Sequence, residues 1–474
     1  MHGKPLVVDL DGTLLRSDIL IESSFAFLKS APHRFYEPLF WLVSGGKPTL
    51  KSRLAGSIDV DFKVLPYDTE LVGWLKDARA DGRSIVLATA SHERFAKGIA
   101  EHLGLFDAVF ATNEHVNLSS RKKRDVLVSA YGEKGFDYVG NSHDDVAVWE
   151  AADRAYVVNP LLGVERAARR HGNVERVFEN RPASLKVFAK SLRLHQWLKN
   201  LLIFVPLLAG HFVGDWNRVL SALIAFLTFG MCASSVYLLN DLLDLEDDRH
   251  HLTKRRRALA SGEMPLLFGL SLTPVLLVAS FSIAITLMPW RFVAVLAGYY
   301  ILTVAYSVAL KRRVMIDVVV LASLYTTRVV AGAAAISVHV TFWLLAFSMF
   351  IFLSLALVKR YAELNALQSR GVEKTRGRGY LSSDLQLISS LGTSSGYLAV
   401  LVLALYVQDA RTAALYRHPQ TIWLACPLLL YWISRTWIIT HRGGMHHDPI
   451  VFAARDRVSL AVAALCGLVF WAAC

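Results

Sequence analysis

Cysteine is scarce: Cys232, Cys426, Cys466 and Cys474 are the only four in 474 residues, and no two are spaced as a CxxC pair. That argues against a disulfide framework and against a cysteine-based zinc site. Charge is thin as well, at 19% of residues against 54% apolar. Neither a disordered chain nor a lone small domain has that composition, and the length accommodates about two or three domains. The net charge of +12 does not call for nucleic acid, because cytoplasmic loops of membrane proteins are ordinarily basic. No repeat of fixed period is present. No signal peptide is expected, since the first residues run straight into an apolar strand-like segment followed by Asp9 and Asp11.

Two solvents are written into the chain. Residues 1–183 read as water-soluble, their apolar runs short and broken by charge, whereas residues 184–474 carry long uncharged runs. Val219 to Leu239, Pro265 to Trp290, Phe292 to Leu310 and Gln386 to Gln408 hold no Asp, Glu, Lys or Arg. Each is long enough to cross a hydrocarbon core of ~30 Å. Further spans fit near 198–214, 317–337, 341–358, 420–435 and 457–473, about nine transmembrane helices in all. Lys and Arg crowd into 184–199, 240–264, 310–316, 359–385 and 435–457. The alternate loops hold only Arg218, Arg291, Arg411 and Arg417. The asymmetry predicts a multi-pass protein of the inner (cytoplasmic) membrane, with the soluble half in the cytoplasm and the C-terminus outside. Residues 161–192 read as a polar linker ending in an interfacial helix.

In the soluble half, an apolar strand ends in Asp9-Leu10-Asp11-Gly12-Thr13. Two carboxylates two residues apart at a strand's end can divide labour, one attacking phosphorus and the other handling protons. A second strand ends at Thr89, a hydroxyl suited to a phosphoryl oxygen, and a third ends in Gly140-Asn141-Ser142-His143-Asp144-Asp145. Any of Arg121, Lys122, Lys123 and Arg124 could balance phosphate charge. Open parallel sheets place their sites at such strand ends. Together these pieces resemble the haloacid-dehalogenase (HAD) superfamily over roughly residues 4–160. The resemblance implies an α/β, Rossmannoid domain with a helical cap between the first two motifs. It also implies Asp9 as nucleophile, Asp11 as general acid/base, Thr89 as phosphate hydroxyl and Lys123 as the third-motif lysine, with Lys122 its near-equal. Mg²⁺ would be held by Asp9, Asp11, Asn141 and Asp145, although Asn141 replaces an acid usual at that place. The segment FAFLKSAPHRFYEPLFWLV suits either packing inside the cap or a lid that touches lipid.

The membrane half carries Asn240-Asp241-Leu242-Leu243-Asp244-Leu245-Glu246-Asp247-Asp248 directly after an apolar span. Offsets of three and four put Asp241, Asp244 and Asp248 on one helical face, where like charges call for a cation. Magnesium suits oxygen ligands and commonly arrives with a substrate phosphate. Lys254, Arg255, Arg256 and Arg257 follow. This arrangement resembles the UbiA superfamily of intramembrane transferases over about 190–474, with an all-α polytopic fold. The DxxxD motif usual further along is missing: Leu321 stands four residues after Asp317. LHQWLKN (194–200), YSVALK (306–311), LVKRYAEL (357–364) and GRGYLSSDL (377–385) resemble the decaprenyl-phosphate phosphoribosyltransferase branch. That branch implies phosphoribosyl pyrophosphate and a polyprenyl phosphate as substrates. Mg²⁺-diphosphate would sit on Asp241, Asp244 and Asp248, and Lys199, Asn200, Asn240, Lys254, Arg255, Tyr306, Lys311, Lys359 and Arg360 would contact substrate. Arg328 lies eleven residues after Asp317, about 16 Å deeper along a helix. It suits either a lipid-phosphate contact or pairing with buried groups.

The fused halves imply sequential chemistry: transfer of 5-phosphoribosyl to the lipid, then removal of the 5-phosphate, yielding a pentosyl lipid for envelope glycans. The alternative is a UbiA-type prenyltransferase acting on an aromatic or other acceptor. The bilayer is the expected surrounding and nucleic acid is not an expected partner. Oligomeric state is silent in the sequence.

Overall fold

The computed structural model describes residues 3–113, 116–161, 163–170, 172–178, 185–251, 253–369, 379–409, 416–445 and 448–473. They form two compact units, Met1–Leu192 with Tyr237–Thr273, and Arg193–Val236 with Pro274–Cys474. The acidic motif therefore belongs to the same unit as the soluble half.

The first unit is built on a parallel sheet of β1 (Leu6–Val8), β2 (Ile85–His92), β3 (Ala108–Thr112), β4 (Asp137–Gly140), β5 (Ala155–Val158) and β6 (Val174–Phe178). Strands covered on both faces must be apolar throughout, and β1, β4 and β5 are buried along their whole length. The order is β3-β2-β1-β4-β5-β6, with Leu6 opposite Ile85 on one side and Asp137 on the other. The winding reverses between β1 and β4, which leaves a crevice at their carboxyl ends. Around the sheet run α1 (Ile19–Ser30), α2 (Glu37–Ser57), α3 (Thr69–Ala80), α4 (Glu93–Leu103), α5 (Ser120–Tyr131), α6 (Val146–Ala151) and α7 (Val164–Arg169). Asp18 caps α1 by accepting the Ile21 N–H, and Asp68 caps α3. The cap helix α2 is broken at Gly46, whose φ of 71° no ordinary side chain favours. The stretch expected as a linker instead supplies α7 and β6. As an edge strand, β6 tolerates the exposed Glu175 and Arg176 that made it read as polar.

Beyond it come α8 (Leu185–Ser191), a 3₁₀ segment Leu194–Phe204, α9 (Val205–Ala209), α10 (Trp216–Leu243), α11 (Leu245–His250), α12 (Leu266–Leu287), α13 (Trp290–Val308), α14 (Ile316–Ala335), α15 (Phe342–Gln368) and α16 (Leu385–Gln408). Helices Ala425–His441, Pro449–Ala453 and Arg457–Ala473 complete the described chain. Seven helices are long and apolar enough to cross a membrane, and two shorter apolar stretches, Leu194–Ala209 and Arg457–Ala473, fall at the first and last expected spans. The protein is thus a multi-pass membrane protein. In the second unit the core runs through Tyr325, Val329, Phe352, Leu355, Ile388 and Trp437. Gly332 of α14 lets the 3₁₀ segment approach closely: a Cβ there would meet the Ile203 carbonyl oxygen at 2.0 Å, whereas one at Gly298 would meet nothing within 4 Å.

Gly332→Ala is therefore expected to lower the thermal midpoint of the detergent-purified protein, by an overpacking cost of about 1–3 kcal/mol. Gly298→Ala, measured alongside, should leave it unchanged.

Candidate active sites

At the mouth of the sheet, motifs from three strands and from helix α5 meet. Asp9 leaves β1 and is buried, and Lys123 of α5 reaches it across 2.7 Å. Lys123 is 4% exposed while Lys122 faces solvent, so of the two it is Lys123 that lies in the site. Lys123 also donates to Tyr138 Oη at 2.9 Å and lies 3.4 Å from Asp145. Burial opposes its charge, but Asp9 and Asp145 outweigh that and hold the ammonium protonated. Burial lifts the Asp9 carboxyl to about 6 despite the lysine. Burial, with the charge of Asp18, lifts Asp11 to about 7, the range in which a carboxyl can both give and take a proton near neutrality. Asp11 accepts the Ile19 N–H at 2.8 Å and the Ser91 hydroxyl at 2.5 Å. Thr89 is fully buried, and its Oγ1 accepts the Ser91 N–H at 2.9 Å.

Two expectations change in detail. Asp145 is not a free ligand. One of its oxygens accepts from Tyr138 and Lys123, and the other takes the N–H groups of Asn141 and Ser142 at 3.0 Å and the Ser142 hydroxyl. It organises the loop rather than facing a cation. Asn141 lies over Gly12 so closely that a Cβ there would meet its amide at 2.1 Å. Asp9, Asp11 and Asn141 remain as oxygen donors that suit a hard cation. Ser91, Tyr138 and Lys51 also belong to the site, although no motif marks them. Lys51, from the far half of α2, donates to the Ala90 carbonyl at 2.6 Å and to Asn117 at 3.1 Å, and burial pushes its ammonium down. Only a lysine in the cap, without fixed spacing, announced it.

The acidic motif departs from a single helical face. Helix α10 ends at Leu243 and α11 begins at Leu245, with Asp244 at the joint in a non-helical conformation. Asp241 and Asp248 converge on one point, the Arg257 Nη1, which lies 3.1 Å from Asp241 and also pairs with Asp248. Asp244 turns instead to Lys29 of α1 at 3.3 Å, and Lys29 also meets Asp247 at 2.6 Å. Burial raises the Asp248 carboxyl, with Arg257 opposing. Among the described residues no three His, Cys, Asp or Glu side chains are grouped to hold a metal. The guanidinium nitrogen nevertheless marks where two carboxylates accept one positive charge, so Asp241 and Asp248 fit a divalent cation and Asp244 stands next to them in sequence. Lys254 and Arg255, expected as the phosphate bases, are exposed, and Arg257 is the one that reaches the acids. Asn240 is half-buried at the end of α10.

The cap and this motif are bolted together. Arg249 donates from both terminal nitrogens to Glu22 of α1, at 2.8 and 2.7 Å, and from Nε to the Ala260 carbonyl at 3.0 Å. Both side chains are buried, and the Ser17 hydroxyl adds a further bond to Glu22. A Cβ at Gly262 would strike Arg16 at 2.5 Å.

In the membrane unit the expected residues sort into two groups. Asp448 is buried and gathers Lys199 at 2.7 Å, Lys359 at 3.4 Å and the Tyr325 hydroxyl at 3.1 Å. Burial would raise its carboxyl, but the two lysines outweigh that and hold it well below the usual range. Its neighbours His446 and His447 lie outside the described residues. The second group is consumed internally. Arg328 donates to Asn200 Oδ1 at 3.0 Å, to the Leu324 carbonyl and to Tyr299 Oη at 3.0 Å, and it lies over three aromatic rings. Arg360 is fully buried between Asp317, at 2.6 Å, and Glu363. Arg328, Asn200 and Arg360 are therefore reassigned from substrate contact to holding helices together, because desolvated guanidinium groups require such partners. Tyr306 and Lys311 are half-buried.

The chain thus joins a parallel α/β unit, whose Asp9, Thr89, Lys123 and Asp145 meet at the carboxyl end of the sheet, to a polytopic helical unit. The chain belongs to the UbiA prenyltransferase family, whose profile matches residues 202–455. It is 36% identical over 469 residues to the uncharacterized protein y4nM of Sinorhizobium fredii, covering 98% of this chain and 90% of that one. It is 31% identical over 291 residues to decaprenyl-phosphate phosphoribosyltransferase of Mycobacterium tuberculosis, covering 60% of this chain and 93% of that one. A UbiA homolog from Archaeoglobus fulgidus, solved with DMAPP and Mg²⁺, aligns with 60% of this chain and 98% of its own at 16% identity and a TM-score of 0.46.

Removing one partner of a buried ion pair strands the other, at a cost of about 3–5 kcal/mol. Arg249→Met should lower the thermal midpoint sharply, and Arg249→Met combined with Glu22→Leu should recover much of the loss. Asp448→Asn, which leaves two lysines facing each other, should likewise destabilise the protein, and Lys199→Met in the same chain should partly restore it.

Proposed function

We propose that the protein transfers the 5-phosphoribosyl group of phosphoribosyl pyrophosphate to a polyprenyl phosphate and then removes the 5-phosphate, working from the cytoplasmic side of the inner membrane. The observation that carries this reading is the convergence of Asp241 and Asp248 on a single cationic point. In contrast, Asp317 is fully buried, paired with Arg360 and bonded by Tyr380. One acidic cluster serves one diphosphate. The chain lacks the second cluster on which a prenyl-diphosphate donor usually relies, which weighs against the aromatic prenyltransferase alternative. The name of the mycobacterial relative points the same way.

In the transfer, the bond between the ribose anomeric carbon and diphosphate breaks, and a lipid phosphate oxygen forms the new one. Inorganic diphosphate leaves and no electrons change hands. Mg²⁺, when bound, supplies charge for the departing diphosphate. Asp241, Asp244 and Asp248 are its proposed holders, and Arg257, which now pairs with Asp241 and Asp248, would be available to the diphosphate oxygens. Lys199 and Lys359, oriented by Asp448, are the proposed counter-charge for the lipid phosphate, since clustered bases stabilise adjacent anions. In the phosphatase step Asp9 attacks phosphorus, Asp11 protonates the departing ribose oxygen, and Lys123 and Thr89 hold phosphoryl oxygens. Water, deprotonated by Asp11, then frees Asp9 and releases phosphate.

Labelled phosphoribosyl pyrophosphate and a polyprenyl phosphate, incubated with membranes, test the division of labour. Asp241→Asn should abolish labelled lipid while hydrolysis of a soluble phosphate monoester persists. Asp9→Asn should stop hydrolysis and let the 5-phosphorylated lipid accumulate. Loss of both activities in either variant, or no pentosyl lipid from wild-type protein, would contradict the reading.

A further inference from the structure

A soluble domain normally hides its large apolar side chains, and the described residues up to Leu192 cluster their exposed ones in one place. Phe35, Tyr36, Leu39, Phe40, Leu42 and Val43 are 70, 58, 65, 65, 40 and 79% exposed. Elsewhere among the described residues up to Leu192, the large exposed hydrophobics are only Val116 and Leu161. Six such residues within nine positions form a contiguous patch of the kind that marks a partner surface.

The patch is held out firmly. Trp41, half-buried beneath it, packs on Phe27 with ring centroids 5.2 Å apart, and Arg34 lies over the same Phe27 ring while paired with Glu37. The break at Gly46 ends the segment. His33 and Lys47 are exposed on either side of it. Glu37 is the only acid between Lys29 and Ser57, and Arg34 neutralises it. An apolar, aromatic surface with a cationic rim complements a bilayer whose headgroups are anionic. Seven helices among the described residues are long and apolar enough to cross a membrane, so the chain is itself held at a bilayer.

We infer that the tip of the cap, residues 35–43, inserts into the headgroup region of the bilayer. The same helix then continues past Gly46 to Lys51, which touches the Ala90 carbonyl beside the phosphatase residues. A docked tip thus ties the mouth of that site to the membrane surface, where a phosphate carried on a lipid resides. Docking stands on exposure and charge. Its catalytic consequence rests on the phosphatase reading above.

The test uses the full chain, freed of its native cysteines and reconstituted in vesicles of phosphatidylcholine and phosphatidylglycerol. Phe40→Cys, Val43→Cys and Asp81→Cys each carry an environment-sensitive fluorophore. Asp81 precedes β2, at the opposite end of the sheet from the strand ends that bear the site. Spin-labelled lipids are expected to quench the probes at 40 and 43 several-fold more than the probe at 81. Equal quenching at all three, or cross-linking of Phe40→Cys between two copies without quenching, would overturn the inference. A Phe40→Asp, Val43→Asp variant should dephosphorylate the lipid-borne substrate more slowly and a soluble monoester at the normal rate. Equal rates of wild-type and variant on the lipid would overturn the catalytic consequence. If no lipid is dephosphorylated even by wild-type protein, the phosphatase reading fails while the quenching still decides docking.

Discussion

Two carboxylates that must share one positive charge govern this protein. Asp241 and Asp248 lie seven residues apart across a helix joint, both largely withdrawn from water. Burial of like charges is tolerable only with a cation between them. Arg257 fills that role, and to reach it the chain folds back through the short segment Lys254–Arg256. The break at Asp244 frees that side chain to meet Lys29 from the cap. An arginine placed so holds the position that a divalent ion would take between the same two carboxylates, and such an ion would bring one more positive charge there.

The acidic motif packs against the cap of the sheet unit. Glu22 lies one helical turn after Ile19, whose N–H orients Asp11, and Glu22 is gripped by Arg249 from the motif. The loop behind the phosphatase acids is thus fixed by a residue of the transferase signature. The relative matched over 98% of this chain is itself covered over 90% of its length, so both parts are present in it.

Much of this was legible in the sequence, for physical reasons that differ by region. The strand ends at Asp9, Thr89 and Gly140 announced themselves because buried parallel strands must be uniformly apolar and stop at polar residues. Apolar length placed the spans, with the first broken into a 3₁₀ segment and a short helix. Periodicity alone misled where the helix bends at Asp244, since spacing rules assume a straight axis. Composition misled at β6, whose charges face outward from an edge. Arg328 suited either a lipid-phosphate contact or pairing with buried groups, because charge in a span is costly, and Arg360 was a substrate contact only by resemblance. The structure shows that the cost is met by Asn200, Tyr299 and Asp317 instead. Asp448 stood out only as part of the histidine-rich loop HRGGMHHDP, and nothing local linked it to the distant Lys199 and Lys359.

The most direct measurement is the position of a bound divalent ion. Crystals or cryo-preserved particles of the full protein, loaded with Mn²⁺ and a phosphoribosyl pyrophosphate analogue, would show it by anomalous scattering or by density. The account predicts a metal between Asp241 and Asp248, with Arg257 moved onto the diphosphate. A metal held elsewhere in the membrane half, or Arg257 still lodged between those carboxylates with the analogue bound, would contradict it.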